Sequence, residues 1–231
     1  MILMNTLPTP PVSLISRNLS AGRPVVAPEG NPSVTYQTAK RLLDIVGSLA
    51  LILLLSPVLL TLLIVLTITT RGNPFFWQRR AGHLGKTFLM VKFRTMRLDA
   101  DKIKHTVANE STGPVFKNRR DPRITGLGRI LRKTSLDETP QLLHVLFGQM
   151  SLVGPRPLDV REVTRFAFWQ LRRLAVKPGL TCLWQVSGRS DIGFEEWSRM
   201  DLWYVRNQSL ATDLNLLWRT PMKVLGCKGA Y

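Results

Sequence analysis

The chain has 231 residues, of which 45% are hydrophobic, 8% aromatic and 20% charged, and its formal net charge is +17. That length suits one main domain with at most an appendage, and the mixture of charges with ordinary Gly and Pro content excludes a wholly disordered or collagen-like chain. Two cysteines (Cys182, Cys227) and three scattered histidines (His83, His105, His144) make neither a disulfide framework nor a zinc site, so the excess charge is left to meet nucleic acid, anionic lipid or a phosphorylated substrate.

Residues 1–38 hold Pro8, Pro10, Pro11, Pro24, Pro28 and Pro32 among small polar residues and show no helical or strand period. They read as a mobile N-terminal arm, either a loose terminus or a partner-binding tail. From Ile45 to Thr70 there are 26 uncharged residues, 17 of them Leu, Ile or Val. At about 1.5 Å per residue this makes roughly 39 Å of helix, enough for a hydrocarbon core of about 30 Å. The run starts too late and is too long for a signal peptide. Ser56-Pro57 sits near its centre, and both flanks are basic, with Lys40 and Arg41 before and Arg71, Arg79, Arg80 and Lys86 after. A kinked spanning helix fits the proline; a helix that breaks there, turns and returns also fits the two basic flanks. The chain thus divides into an arm (1–38), a membrane helix (39–71) and a basic body (72–231).

In the body, Phe75-Phe76-Trp77-Gln78 and Thr87-Phe88-Leu89-Met90-Val91-Lys92-Phe93 flank a Gly-containing loop and read as a β-hairpin. Residues 97–123 read as a solvated basic connection or surface helix. Residues 127–150 read as helical, interrupted near 134–140. There Ser135 to Glu138 fits a capping box and Thr139-Pro140 an N-cap with proline at the first helical position, and the helix ends at Gly148. From about Val160 to Leu174, aromatics mix with arginines, as in a basic amphipathic helix on a membrane surface or an ordinary packed helix.

Familiar nucleotide loops, serine-hydrolase elbows and zinc motifs are missing. What remains is Asp137-Glu138, downstream of Arg129, Arg132 and Lys133. Acids in a first helical turn commonly complement the macrodipole. A carboxylate among arginines also suits phosphate chemistry, because it can attack phosphorus or hold Mg²⁺ while the arginines grip phosphate oxygens. Arg156, between Pro155 and Pro157, is presented from a stiff loop, either as a phosphate ligand or as part of a rigid turn. Gln185-Val186-Ser187-Gly188-Arg189-Ser190 is a phosphate-binding loop or a surface turn.

Taken in order, Lys40-Arg41-Leu42-Leu43-Asp44, Ser56-Pro57, Lys92-Phe93-Arg94-Thr95-Met96, Ser135-Leu136-Asp137-Glu138, Val153-Gly154-Pro155-Arg156-Pro157, Pro178-Gly179-Leu180-Thr181 and Gln185-Val186-Ser187-Gly188-Arg189 resemble the bacterial sugar transferase family, the monotopic phosphoglycosyl transferases. The resemblance covers roughly residues 38–228. It implies an α+β, mostly helical monotopic membrane protein, with a re-entrant helix broken at Ser56-Pro57 and a small β-hairpin in a core on the cytoplasmic face of the bacterial inner membrane. It implies transfer of a hexose 1-phosphate from a UDP-sugar to undecaprenyl phosphate, with release of UMP and Mg²⁺ as cofactor, as a first step of exopolysaccharide assembly. Matched by motif, Asp137 is the expected nucleophile and Mg²⁺ ligand and Glu138 its acidic partner. Lys92, Arg132 and Arg156 are expected to bind phosphate, and Gln185, Arg189 and Asp201 to line the nucleotide or sugar end. Cys182-Leu183-Trp184 departs from the family's usual Gly-Trp-Ala or Gly-Leu-Trp and leaves the sugar open between galactose, glucose and an N-acetylated form. Expected partners are the two substrates, membrane lipid, downstream glycosyltransferases and a second copy in a homodimer. A membrane-anchored basic protein that binds nucleic acid is the alternative from another class; it leaves the ordered Asp-Glu pair unexplained.

Overall fold

The computed structural model describes residues 32–225 except 112, 117 and 189–191. The expected arm up to residue 31, Arg189 and Ser190 therefore lie outside the described residues.

Helix α1 spans Val34–Thr69, beginning ahead of the expected start at residue 39, with the Ser33 hydroxyl accepting from the Tyr36 N–H at its N-cap. It runs through Ser56-Pro57 without interruption, so the expected break is absent. The local reason is visible. Pro57 has no N–H to offer the Leu53 carbonyl four residues back, and the Ser56 hydroxyl donates to that carbonyl instead, at 2.8 Å. Thr61, Thr67 and Thr69 likewise donate to the carbonyls of Pro57, Leu63 and Val65. Every one of these hydroxyls is satisfied within the helix, as a hydrocarbon surrounding demands. Leu53, Leu54, Leu60, Ile64 and Ile68 remain largely exposed.

Both ends of α1 rest on the same body. Near its start, Asp44 accepts from the Ser151 hydroxyl (2.9 Å) and the Leu152 N–H (2.8 Å), and Arg41 donates to the carbonyls of Val145 and Leu146. Gly47 faces Leu152 so closely that a Cβ there would come within 2.7 Å of Leu152 Cδ1. Near its end, Leu66 is buried against Phe93 and Leu131, with Leu59 and Leu62 beside it.

Strands β1 (Phe75–Ala81) and β2 (Thr87–Phe93) form the expected antiparallel hairpin, Phe75 opposite Phe93 and Ala81 opposite Thr87. Between them Leu84 and Gly85 both take positive φ. After the connection 97–123, which contains a 3₁₀ turn at Lys104–Thr106 and no α-helix among its described residues, α2 spans Gly126–Thr134. Ser135 then turns left-handed (φ 57°), a 3₁₀ helix covers Leu136–Gln141, and α3 spans Leu142–Leu146, closing at Gly148 with φ 81°. The expected capping box is absent: Ser135 terminates α2, and its side chain caps nothing. Pro140 sits inside the 3₁₀ helix, and the Thr139 hydroxyl bonds back to Leu136, so neither starts α3.

Strand β3 (Ser151–Val153) and β4 (Leu158–Asp159) flank the proline loop. β4 joins the other edge of β1, completing a β2-β1-β4 sheet, while β3 pairs in parallel with β5 (Gly179–Thr181). The loop 154–157 therefore bridges two sheets. The expected helix over 160–174 is three pieces: α4 (Val160–Val163), α5 (Phe168–Leu171) and a 3₁₀ turn at Arg172–Ala175. Ala167 is extended, and its N–H is taken by the Gln170 side chain, which starts the second helix afresh. Helices α6 (Leu183–Ser187), α7 (Phe194–Arg206) and α8 (Leu210–Leu225) follow. Leu142, Val145, Met150, Leu152, Val153, Val186, Tyr204 and Leu216 make the main core.

Candidate active site

Asp137 and Glu138 lie on the 3₁₀ helix that follows the left-handed turn at Ser135, and this helix packs against β2, which carries Lys92. Arg132 comes from the last turn of α2, its Nε donating to Thr95 Oγ1 at 2.9 Å. The sequence-predicted Asp137, Glu138, Lys92, Arg132 and Arg156 thus share one electrostatic cluster.

Arg156 reaches across from the bridging loop and grips Glu138 with both terminal nitrogens, one bond measuring 3.0 Å and the other very short. Arg156 was expected to bind phosphate; its side chain holds Glu138 and remains 31% exposed. The guanidinium holds the Glu138 carboxyl below its ordinary range despite burial, and Glu138 in turn raises Arg156.

Asp137 differs. Among the described residues no group hydrogen-bonds its carboxylate, yet it is only 5% exposed. Burial, reinforced by the neighbouring Glu138 charge, pushes it up to about 6, while Lys92, Arg132 and Arg156 pull the other way. Burial and the Arg132 charge push Lys92 down to about 8.

Arg80 is a member that sequence reasoning missed. Its Nη1 donates to the Pro157 carbonyl at 3.2 Å and its Nη2 to Gln78 Oε1 at 2.6 Å, and its charge is felt at both Lys92 and Glu138. Period-two alternation along β1, which puts Gln78 and Arg80 on one face and leaves Arg79 exposed, was the available signal. Three cations (Lys92, Arg132, Arg156) are felt at Asp137 beside its one acidic neighbour Glu138, and Arg80, which also faces Glu162 and Asp159, is felt at Glu138. The surplus suits a ligand with two or more negative charges.

Of the remaining predicted residues, Gln185 and Asp201 bond to groups other than the Asp137-Glu138 pair. Gln185 accepts from the Cys182 N–H (3.0 Å) and Sγ–H (2.9 Å), capping α6. Asp201, expected at the sugar end, is 1% exposed on α7 and ion-paired with Arg173. It does not line an open surface. Ser56 and Pro57 are on α1, remote in sequence from the cluster.

No group of three or more His, Cys, Asp or Glu able to hold a metal occurs among the described residues. Mg²⁺ does not require one, because it commonly takes one or two carboxylates and completes its octahedron with substrate phosphates and water. The unbonded Asp137 carboxylate fits that demand, whereas both Glu138 oxygens are taken by Arg156.

The family model described as bacterial sugar transferase matches residues 35–227. The chain is 37% identical over 224 residues to the exopolysaccharide production protein ExoY of Rhizobium meliloti, covering 94% of this chain and 99% of that protein. It is 43% identical over 200 residues to the UDP-galactose-lipid carrier transferase of Erwinia amylovora, and 42% identical over 199 residues to the undecaprenyl-phosphate galactose phosphotransferase of Salmonella typhimurium. Each of these two alignments covers 83% of this chain but 41% of the relative, so the chain spans less than half the length of those proteins.

Proposed function

The chain belongs to the bacterial sugar transferase family, and from that premise we propose that it moves a hexose 1-phosphate from a UDP-sugar to undecaprenyl phosphate, releasing UMP, at the start of exopolysaccharide or related glycan assembly. The observation that carries the reading is Asp137, a buried carboxylate without a hydrogen-bond partner among the described residues, set among a surplus of cations.

A carboxylate so placed is desolvated and unengaged, which favours its use as a nucleophile. In the first step an Asp137 oxygen bonds to the sugar-bearing phosphorus, the bond from that phosphorus to the bridging oxygen breaks, and UMP leaves with the electron pair. In the second, a phosphate oxygen of undecaprenyl phosphate attacks the same phosphorus and Asp137 departs as a carboxylate. Lys92 and Arg132 stand beside Asp137 to receive charge on the transferring phosphoryl oxygens, with Arg80 behind. Glu138, fixed by Arg156, keeps that guanidinium oriented towards the site. Mg²⁺, when bound at Asp137 and the substrate phosphates, would neutralise the diphosphate.

The α1 helix serves as a monotopic anchor whose two ends both stay on the cytoplasmic face of the inner membrane. Support comes from its two ends, because Asp44 and Leu66 both pack on one body, which a helix passing straight to the far side would not allow. Residues 72–231 form the catalytic unit beneath it.

The test is a panel of UDP-galactose, UDP-glucose and UDP-N-acetylglucosamine, with undecaprenyl phosphate, assayed for UMP release. Release from one of them, abolished in Asp137→Asn, supports the reading; no release from any contradicts it. Cysteine labelling from outside intact cells should miss position 73, and labelling there would contradict the monotopic arrangement.

A further inference from the structure

Arg156 is held from behind as well as in front. Its main-chain carbonyl accepts a hydrogen bond from Arg173 Nη2 at 2.8 Å, and the same nitrogen lies 2.7 Å from Asp201 Oδ2. Arg173 is 4% exposed and Asp201 1%, and the guanidinium sits 5.4 Å from the centroid of the Trp197 ring. The three partners come from distant stretches: the bridging loop, the 3₁₀ turn at Arg172–Ala175 and helix α7. Other carbonyls of this loop and of the strand residue before it are also held. Val153 accepts from Lys40, Pro155 from the Gly179 N–H and Pro157 from Arg80. Arg173 alone among these donors bonds the carbonyl of Arg156 itself.

A buried ion pair contributes little stability over well-packed apolar residues. Its worth lies in the direction it imposes. One Arg173 nitrogen meets both the Asp201 carboxylate and the Arg156 carbonyl, so the pair sets where the Arg156 backbone stands. The side chain of Arg156 then has little freedom in how it meets Glu138.

We propose that Arg173, oriented by Asp201, is a positioning residue that fixes the Arg156 backbone so that its guanidinium addresses Glu138 and the substrate phosphates. The inference rests on the function proposed above, and it gives Asp201 a role behind the site.

A double-mutant cycle on the full chain separates positioning from mere support. UMP release is measured with the three UDP-sugars and undecaprenyl phosphate for wild type, Arg173→Lys, Asp201→Asn, Arg156→Ala and the combinations, together with melting temperatures. Arg173→Lys, by weakening the bond to the Arg156 carbonyl, and Asp201→Asn, by removing the ion pair that orients Arg173, should each lower kcat/KM about tenfold. In the Arg156→Ala background neither should lower it further, because the group they position is gone. The same tenfold loss in that background, or wild-type rates in both single variants, would overturn the inference. Asp201→Asn is isosteric and carries the cycle alone if Arg173→Lys does not fold. No UMP release from wild type would overturn the proposed function, and the inference with it; an active wild type with an additive cycle overturns only the inference.

Discussion

Asp213 and Asp137 are both buried carboxylates beside lysines, and they are treated in opposite ways. Asp213, fully buried on α8, accepts from Lys40 Nζ (2.8 Å), the Tyr36 hydroxyl (2.9 Å) and the Tyr204 hydroxyl (2.7 Å). Lys40 also donates to the Val153 carbonyl, so this cluster ties α1, β3, α7 and α8 together. Asp137 accepts no hydrogen bond from any described residue, and burial beside a second carboxylate pushes it up to about 6. A carboxylate with both oxygens engaged makes a poor nucleophile and a good tie. One left unengaged in a dry, cationic setting costs stability and is ready to react. On the proposed function, the contrast separates scaffold from chemistry within a single small body.

The largest effect that would break the contrast is on Asp137. Asp137→Asn keeps the shape but removes the nucleophile, so UMP release should fall about 10³-fold or more while the melting temperature holds. An unfolded Asp137→Asn protein would instead make Asp137 structural. Asp213→Ala should act on the other axis. It leaves Lys40 and Tyr204 without their acceptor and should cost about 3–5 kcal/mol of stability, read by thermal or denaturant unfolding. The folded fraction should keep the wild-type pH profile; a changed profile would place Asp213 in the chemistry.

Arg156→Lys comes next. A single ammonium cannot reproduce the two-point grip on Glu138, and the loss should be about 10–150-fold in turnover, with stability little changed. Wild-type kinetics would reduce the loop to a rigid turn. The smallest effect is on pH dependence. Asp137 must be ionised to attack and gains its charge as pH rises through about 6; Lys92 must be charged to receive phosphate and loses its proton as pH rises through about 8. The kcat/KM profile should therefore be bell-shaped with limbs near those values. Lys92→Arg should carry the alkaline limb upward and leave the acid limb in place.

How far the sequence was legible follows the range of the forces involved. The hairpin, the Asp137-Glu138 pair and the stiff loop at Arg156 were readable because alternation, adjacent acids and bracketing prolines are local signals. The capping box was misread because Ser135 takes φ 57° to end the preceding helix, a choice set by where α2 must stop. The helix over 160–174 was read as one piece because aromatics mixed with arginines suit a basic amphipathic helix; Phe166 turning into the core and the Gln170 bond to Ala167 divide it. Ser56-Pro57 was read as a break because proline lacks a donor, and the replacement by the serine hydroxyl requires knowing its rotamer. Asp201 was placed at the sugar end by the family resemblance alone; its ion pair with Arg173, 28 residues away in sequence, was not legible because only folding brings the two together. Arg80 was missed because its role depends on which face of β1 the site occupies.

The most direct measurement is the intact mass of the wild-type chain after incubation with a UDP-sugar and Mg²⁺ but no undecaprenyl phosphate. The unengaged state of Asp137 predicts one added sugar phosphate, mapped to Asp137, with UMP released in equal amount. UMP appearing only when undecaprenyl phosphate is present, with no adduct on the protein, would contradict it.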